Sequence, residues 1–352
     1  MIVKSRGFYY NVDIMNLKKV RIPEQTILYI VVPCYNEEET LRSSADKLLK
    51  KLDELKNVSK LVGPDCRIIF VDDGSKDDTW SIITSLHEED PVFSGLSLAH
   101  NRGHQNALLA GLMFSKDKAD CVISIDADLQ QDIDAMDDFL KEYYNGCDVV
   151  YGVRNSRSTD SWFKKSSARM FYRFMNLLGA DIYENSADYR LLGAAALDAL
   201  SQYTEVSVFL RGIIPDMGFK SAIVHFDVHE REFGSSKYTL SKMLKLAIDG
   251  ILSFSIKPIH FICTLGFAFL TLSIIMIIVT LVDYFNGKNI PGYSTLLISL
   301  WFIAALQMFA IGIVGEYIGR NYSESKRRPR YYIADICHAK PHSDNEDLLS
   351  CR

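Results

Sequence analysis

Paired cysteines are missing from this chain. Its seven cysteines include no Cys-x-x-Cys pair, a spacing typical of metal sites and redox-active thiols. Several of them lie instead in apolar, strand-like runs. We therefore expect buried free thiols in a reducing compartment rather than disulfides or metal ligands.

An excess of positive charge is also missing. The chain has 39 basic and 44 acidic residues, which gives a formal net charge of −5. A nucleic-acid-binding protein is usually basic, so we expect no nucleic-acid partner. Residues 1–26 lack the apolar core of a signal peptide, and we interpret them as an N-terminal extension.

The two commonest phosphate-binding loops are absent as well. No Gly-x-Gly-x-x-Gly follows the first apolar strand, and no glycine-rich loop carries a Walker lysine. Backbone N–H groups of such loops usually hold the phosphates of a nucleotide. Any nucleotide would therefore have to be held by other groups, and carboxylates are the candidates.

Charged residues are absent from two long apolar runs, residues 258–282 and 293–315. Each run is long enough to cross a hydrocarbon layer of ~30 Å at ~1.5 Å per residue. A short polar loop separates them, so they predict a transmembrane hairpin over residues 258–315. A buried hairpin within a soluble core is the alternative.

Lysine and arginine flank the two apolar runs on their outer sides, whereas the loop between them has one lysine. The positive-inside rule then predicts a multi-pass protein of the cell (plasma) membrane with residues 27–238 and both termini in the cytoplasm. Residues 316–352 would form a basic and polar cytosolic tail, mobile over residues 333–352.

Residues 239–257 have apolar side chains at helical spacing, including Leu240, Leu244 and Ile251. This pattern predicts an amphipathic helix lying in the membrane interface. A helix packed on the preceding domain is an equally good interpretation.

Apolar runs alternate with helix-like stretches before this point. The predicted strands are residues 27–32, 67–71, 96–98, 121–125 and 148–151, and the predicted helices are residues 37–55, 79–87, 103–114 and 133–144. This order predicts an α/β fold with a mainly parallel, Rossmann-like sheet covered on both faces. Ligands of such sheets bind outside the carboxyl ends of the strands.

Two acidic pairs follow predicted strands. Asp126 and Asp128 come directly after one strand, where both carboxylates can reach one divalent cation. Mg²⁺ and Mn²⁺ prefer oxygen ligands and share them with substrate phosphates, so we expect one of these ions. Asp72 and Asp73 follow another strand and can accept hydrogen bonds from a base or a ribose. A turn with a helix N-cap is the alternative for this second pair.

Four runs resemble a known family: YIVVPCYNEEETL, FVDDGSKDDT, NRGHQNALLAG and ISIDADLQ. Together they resemble family 2 glycosyltransferases of the GT-A fold. The closer similarity is to polyprenyl-phosphate glycosyltransferases, the group of bactoprenol glucosyltransferase and dolichol-phosphate mannose synthase. The resemblance covers residues 27–330, and implies a GT-A domain over residues 27–238 followed by the hairpin.

The resemblance also implies roles for individual residues. With the acidic pairs above, the expected nucleotide-sugar-binding residues are Pro33, Tyr35, Glu37, Asp72, Asp73 and Asp126. The expected metal ligands are Asp126, Asp128 and Gln130. The expected catalytic residues are Asp128, Asp188 and Arg154. His104 is interpreted as a polar group at a helix start or in the nucleotide pocket rather than as a metal ligand.

Basic side chains are candidates for the acceptor phosphate, because arginine and lysine pair with phosphate oxygens. The residues expected to bind a lipid phosphate are Arg154, Lys164, Arg169, Arg190, Arg231, Ser236 and Lys237. A solvated surface charge is the alternative for each of the basic ones. The chain departs from its relatives after Gln130, where it reads Gln-Asp-Ile-Asp and lacks their proline-bearing turn.

The resemblance implies an inverting, metal-dependent hexosyltransferase at the cytosolic face of a membrane. The donor would be UDP-glucose, the acceptor a polyprenyl phosphate such as undecaprenyl phosphate, and the product would serve modification of a cell-envelope glycan. We also expect a homo-oligomer. The alternatives are transfer of N-acetylglucosamine or mannose, a ceramide or diacylglycerol acceptor, and a non-catalytic scaffold that binds nucleotide sugar in the membrane.

Overall fold

The computed structural model describes residues 2–5, 8–11, 21–155, 186–206, 208–227 and 292–338, together with isolated positions between 262 and 286. The strands are β1 (Ile2–Ser5), β2 (Phe8–Asn11), β3 (Leu28–Cys34), β4 (Arg67–Asp72), β5 (Phe93–Leu98), β6 (Cys121–Ser124), β7 (Val149–Arg154), β8 (Ser186–Gly193), β9 (Ser221–Phe226) and β10 (Ile333–Cys337). The helices are α1 (Leu41–Asn57), α2 (Thr79–Glu89), α3 (His104–Ser115), α4 (Ala135–Tyr144), α5 (Ala194–Ser201), α6 (Leu210–Asp216) and α7 (Tyr293–Ser325).

Eight of these strands form one sheet in the order β10-β5-β4-β3-β6-β8-β7-β9. Strands β5, β4, β3 and β6 run parallel to one another. Strand β8 enters antiparallel between β6 and β7, and β9 then pairs parallel with β7. The predicted mainly parallel α/β sheet is confirmed. Strands β1 and β2 form a separate antiparallel pair.

The centre of the sheet is apolar on both faces, as parallel strands covered by helices require. Every residue of β3 is buried. Helices α1, α2 and α4 contribute to the core on one face, and α3, α5 and α6 to the core on the other. Helix α3 lies very close to the sheet, because a Cβ added at Gly111 would stand 2.4 Å from a methyl carbon of Val31.

The cysteines of the described ranges are Cys34, Cys66, Cys121, Cys147 and Cys337, and all five are free and buried. This confirms the expectation of buried thiols for that part of the chain. Burial raises the pKa of the Cys66 thiol to about 11. Such thiols are inert, because the reactive form is the thiolate.

The segment after α7 returns to the sheet, which corrects the expectation of a mobile tail for residues 333–337. Strand β10 pairs antiparallel with β5, with Ile336 opposite Leu96. The backbone N–H of Ala99 also donates to the carbonyl of Tyr332 at 2.9 Å. The physical reason is that β5 would otherwise leave an edge of unpaired backbone groups.

Across the described ranges, none of the helices combines the length and the apolar character that crossing a membrane requires. Helix α7 begins at Tyr293 and ends at Ser325. The predicted interface helix, residues 239–257, lies outside the described residues. The first predicted span, residues 258–282, does so too apart from isolated positions.

Candidate functional site

Polar side chains gather at one edge of the sheet, where the parallel strands β3, β4, β5 and β6 end. Strand β8 runs the other way and pairs Arg190 with Ser124 at the end of β6. The antiparallel register therefore carries the start of β8, with Asp188, to the same edge. The acidic residues that follow β4 and β6 meet there with a carboxylate from a distant part of the sequence.

The loops that follow β3 and β4 are bonded to each other. The backbone N–H of Asn36 donates to Ser75 Oγ at 2.9 Å, and the N–H of Glu37 donates to Thr79 Oγ1 at 2.9 Å. These bonds fix the backbone around Tyr35, whose side chain is exposed. Pro33 is placed inside β3 and is buried. Tyr35 is therefore the predicted pocket residue that this loop presents outward.

Asp72 and Asp73 are both buried, and their carboxylates hold loops. Asp72 accepts hydrogen bonds from the N–H of Ser75 at 3.0 Å and from Ser97 Oγ at 3.3 Å. Asp73 accepts the backbone N–H groups of Arg102 at 2.7 Å and Gly103 at 2.8 Å. Burial raises the pKa of Asp73, and the two backbone donors only partly offset it. The geometry thus gives this pair a loop-holding role.

Gly74 lets the two loops meet. Its backbone is in the left-handed region, with φ +66°, and an added Cβ would stand 2.7 Å from the carbonyl carbon of His100. Only glycine combines this φ with so close an approach. The Asp-Asp-Gly-Ser sequence therefore positions the loop at residues 99–103, which leads into α3.

Asp126 and Asp128 lie in the turn after β6. Asp126 Oδ2 accepts a hydrogen bond from Gln131 Nε2 at 2.5 Å, and Gln131 is buried. Asp128 Oδ1 accepts the backbone N–H of Gln130 at 3.3 Å. The turn is tight, since Leu129 has a φ of 42°. The two carboxylates are thus held by neighbouring groups rather than free to rotate.

These two carboxylates fit a divalent cation that a substrate completes. In the described ranges, no three His, Cys, Asp or Glu side chains are grouped so as to hold a metal ion on their own. Mg²⁺ is typically held by one or two carboxylates together with substrate phosphates and water. The donor set of Asp126 and Asp128 matches that kind of site.

Asp188 is surrounded by donors. Arg211 donates from Nε to one carboxylate oxygen at 3.2 Å and from Nη2 to the other at 3.0 Å. Gln105 Nε2 donates at 3.2 Å, and Arg190 Nη2 also donates to this carboxylate. Burial alone raises the pKa of the carboxyl group, but Arg211, His104 and Arg190 outweigh burial and hold the pKa well below its ordinary value. Asp188 is therefore ionised and fully engaged.

His104 lies between the carboxylates of Asp126 and Asp188. Its Nε2 is 3.6 Å from Asp126 Oδ1 and 3.6 Å from Asp188 Oδ2. It opens α3, whose first residue it is, so the interpretation as a helix-start group is consistent with its place. The structure adds that it links the predicted metal residues to the buried ion cluster.

The predicted site residues are brought together only in part. Asp72, Asp73, Asp126, Asp128 and Asp188 share one edge. Arg154, at the exposed end of β7, reaches the same edge, because β7 pairs Val153 with Ser186 at the start of β8. Arg190 is buried against Asp188. The remaining basic and hydroxyl candidates lie outside the described residues: Lys164, Arg169, Arg231, Ser236 and Lys237.

Sequence reasoning missed three contributors to this edge: Gln105, Gln131 and Arg211. Gln105 and Asp188 are 83 positions apart, so no local spacing signals their contact. The one available signal concerned Gln131, which stands where the chain departs from the usual motif after Gln130. Arg211 carries no motif of its own.

The chain matches two family models. Glycosyl transferase family 2 matches residues 29–201, and the GtrB C-terminal hairpin matches residues 257–320. The first match contains the whole of the edge described above except Arg211. The second contains most of α7.

Curated relatives cover most of the chain. The uncharacterized glycosyltransferase YkoT of Bacillus subtilis (strain 168) is 49% identical over 88% of this chain and 91% of its own length. The prophage bactoprenol glucosyl transferase homolog of Escherichia coli (strain K12) is 36% identical over 87% of this chain and 98% of its own length. The bactoprenol glucosyl transferase of Shigella phage SfV is 37% identical over 86% and 97%, respectively.

Proposed function

Because the chain belongs to glycosyl transferase family 2 and is a glycosyltransferase, we propose that it transfers a hexose from a nucleotide sugar to a polyprenyl phosphate. The donor we propose is UDP-glucose. Two relatives carry the name bactoprenol glucosyl transferase or its homolog, which supports both the sugar and the lipid. The described sheet has the mainly parallel, Rossmann-like form of the GT-A fold.

The observation that carries the proposal is the state of Asp188. A hydroxyl acceptor needs a general base within reach, and an effective base has a pKa near the working pH. Arg190, Arg211 and Gln105 all donate hydrogen bonds to the Asp188 carboxylate. Burial by itself raises the pKa of this group, but the surrounding cations have the larger effect and hold the pKa low. It is a poor base and a good fixed charge.

A phosphate monoester needs no such base. Its second pKa is ≈ 6, so it is largely a dianion near neutral pH and can attack the anomeric carbon directly. Direct attack on the face opposite the leaving diphosphate inverts that carbon. The protein's contribution is then orientation and electrostatic stabilisation, which a rigid cluster around Asp188 can supply.

Asp126 and Asp128 would hold Mg²⁺ or Mn²⁺ at the donor. When bound, the ion neutralises charge that develops on the departing diphosphate. The chain's own part is to hold each carboxylate in place, through the hydrogen bonds from Gln131 to Asp126 and from the backbone of residue 130 to Asp128. We assign Tyr35, which is exposed on the neighbouring loop, to contact the nucleotide.

We further propose that residues 258–282 and 293–315 cross the plasma membrane as a hairpin, with the catalytic domain in the cytoplasm. The family match over residues 257–320, to a C-terminal hairpin, supports the hairpin itself. Helix α7 also carries exposed large apolar side chains, among them Leu300, Phe302 and Met308. Clusters of this kind on one helix are typical of surfaces that meet lipid or protein.

The proposed acceptor is tested with a pair of matched lipids. Full-length protein in detergent micelles with Mn²⁺ would be given labelled UDP-glucose and either undecaprenyl phosphate or undecaprenol, which differ only in the phosphate. We expect labelled lipid from the phosphate alone, because undecaprenol would require a general base. Glucosylation of undecaprenol, diacylglycerol or ceramide at a comparable rate would contradict the proposal. UDP-N-acetylglucosamine and GDP-mannose test the donor in the same assay.

Gln131→Ala is expected to weaken Mn²⁺ binding about tenfold, since groups that orient a metal ligand contribute 10- to 100-fold to affinity. The change removes the donor that fixes Asp126. Mn²⁺ would be titrated by electron paramagnetic resonance in the presence of UDP. Gln130→Ala is measured beside it as the competing assignment, because Gln130 is itself an expected metal ligand. Unchanged affinity in Gln131→Ala, with a large loss in Gln130→Ala, would assign the role to Gln130.

A further inference from the structure

The C-terminal end of α7 is tied to the catalytic domain at one loop. Both carboxylate oxygens of Glu324 accept the backbone N–H of Val206, at 3.0 and 2.8 Å. The guanidinium of Arg330 donates to the carbonyl oxygen of Tyr203, in the same loop. A charged acceptor on a backbone N–H forms one of the stronger kinds of hydrogen bond. The loop between α5 and α6 is therefore held from the C-terminal side.

The same stretch of chain is held by the active site at its other end. The backbone N–H of Leu210 donates to Gln105 Oε1 at 3.2 Å. The next residue is Arg211, whose guanidinium contacts both oxygens of Asp188. Five positions thus separate a backbone group held by Glu324 from the side chain that orients Asp188. A stretch so short transmits a displacement at one end to the other.

Helix α6 adds to this stiffness. Its residues Leu210, Ile213 and Ile214 are buried in the core beneath the sheet. Tyr203 also donates from its hydroxyl group to Asp216 at 3.2 Å, which joins the two ends of the segment. The described residues on either side of position 207 are thus held by defined contacts.

We propose that Glu324 is a positioning residue for catalysis: by holding Val206 it sets Arg211, and through Arg211 the carboxylate of Asp188. The proposal rests on the function proposed above, because it assigns Asp188 an orienting role in sugar transfer. It also couples the second helix of the hairpin to the catalytic edge. A shift of α7 along its axis would reach the sugar site through one carboxylate.

A double-mutant cycle tests this coupling in the full-length protein. Glu324→Ala and Arg211→Gln are each expected to lower kcat/KM about tenfold or more. Because they act through one contact, the double variant should be no more than about threefold worse than the more damaging single variant, as coupled sites are non-additive. Glu316→Ala is the control on the same helix, where Glu316 pairs with Arg320 at 3.4 Å. It should leave kcat/KM unchanged and combine additively with Arg211→Gln.

Two further measurements separate positioning from general destabilisation. Glu324→Gln keeps an acceptor oxygen and should recover most of the activity that alanine loses. Hydrogen exchange over residues 203–209 should speed up in Glu324→Ala and not in Glu316→Ala. Additive effects of Glu324→Ala and Arg211→Gln would overturn the proposal, as would unchanged exchange in that loop. The exchange result is independent of the acceptor, so it stands even if the wild-type protein fails to glycosylate undecaprenyl phosphate.

Discussion

Asp128→Ala is expected to lower the rate of sugar transfer about 1,000-fold or more while the protein stays folded. A cation at a developing diphosphate contributes several kcal/mol, and each ~1.4 kcal/mol is a factor of ten in rate. The carboxylate lies in a surface turn with Asp126, where its bond to the N–H of Gln130 is 3.3 Å long. Its loss should therefore leave the core and the melting temperature nearly unchanged.

The measurement is labelled-lipid formation under saturating donor, paired with Mn²⁺ titration and a melting curve. Asp138→Asn provides the control, because Asp138 is exposed on α4 and forms a surface ion pair with Lys141. It should keep full activity. Transfer by Asp128→Ala within a few-fold of the wild type would exclude the metal role, whereas a collapsed melting curve would show that the turn is needed for folding.

Asp188→Asn is expected to damage both activity and stability. The substitution leaves Arg190, which is 2% exposed, without the carboxylate that compensates it. Removing one partner of a buried ion pair costs about 3–5 kcal/mol. Transfer should fall about 100-fold or more, because the fixed charge at the sugar is lost. Asp198→Asn is the control, since Asp198 pairs with Lys116 at the surface and exposed pairs of this kind contribute little to stability.

The stability effect has a defined pH dependence. Burial raises the folded-state pKa of Asp188, but the neighbouring cations have the larger effect and hold this pKa well below its unfolded value. The unfolded value is about 3.9. The carboxylate therefore stabilises the fold fully above that value and loses its contribution as the pH falls through the folded pKa. The gap in melting temperature between wild type and Asp188→Asn should be widest near pH 7 and narrow below about pH 4. A gap independent of pH would contradict the ion-pair explanation.

Local sequence signals predicted which strands and helices form in the first part of the fold, but predicted their first and last residues less well. Buried parallel strands read as continuous apolar runs, and β3, β4, β5, β6 and β7 were all found in that way, although β5 and β7 extend beyond their predicted bounds. The helix predicted to begin at residue 37 begins at Leu41 instead. Residues 38–40 form a turn instead, and the backbone N–H of Glu37 donates to Thr79 of α2, a contact between segments that no local pattern announces.

Strand β8 was not predicted, and the reason lies in its charges. It contains Asp188 and Arg190, both buried, so it lacks the apolar run or the alternation by which strands are recognised. The two charges are tolerated because each compensates the other inside the domain. A sequence pattern scored by hydrophobicity cannot distinguish such a pair from a solvated loop.

The sequence by itself determined the local part of the site, which consists of the carboxylates that follow strands. The carboxyl ends of parallel strands share one edge, so the order of elements alone places Asp72, Asp126 and Asp128 there. The tertiary structure decided the rest. It set Asp188 beside Asp126 by inserting β8 antiparallel to β6, and brought Gln105 and Arg211 to that carboxylate. It also tied α7 to the loop before α6 through Glu324. These contacts join residues far apart in the chain, and their energy comes from packing and charge compensation that exist only once the sheet has formed.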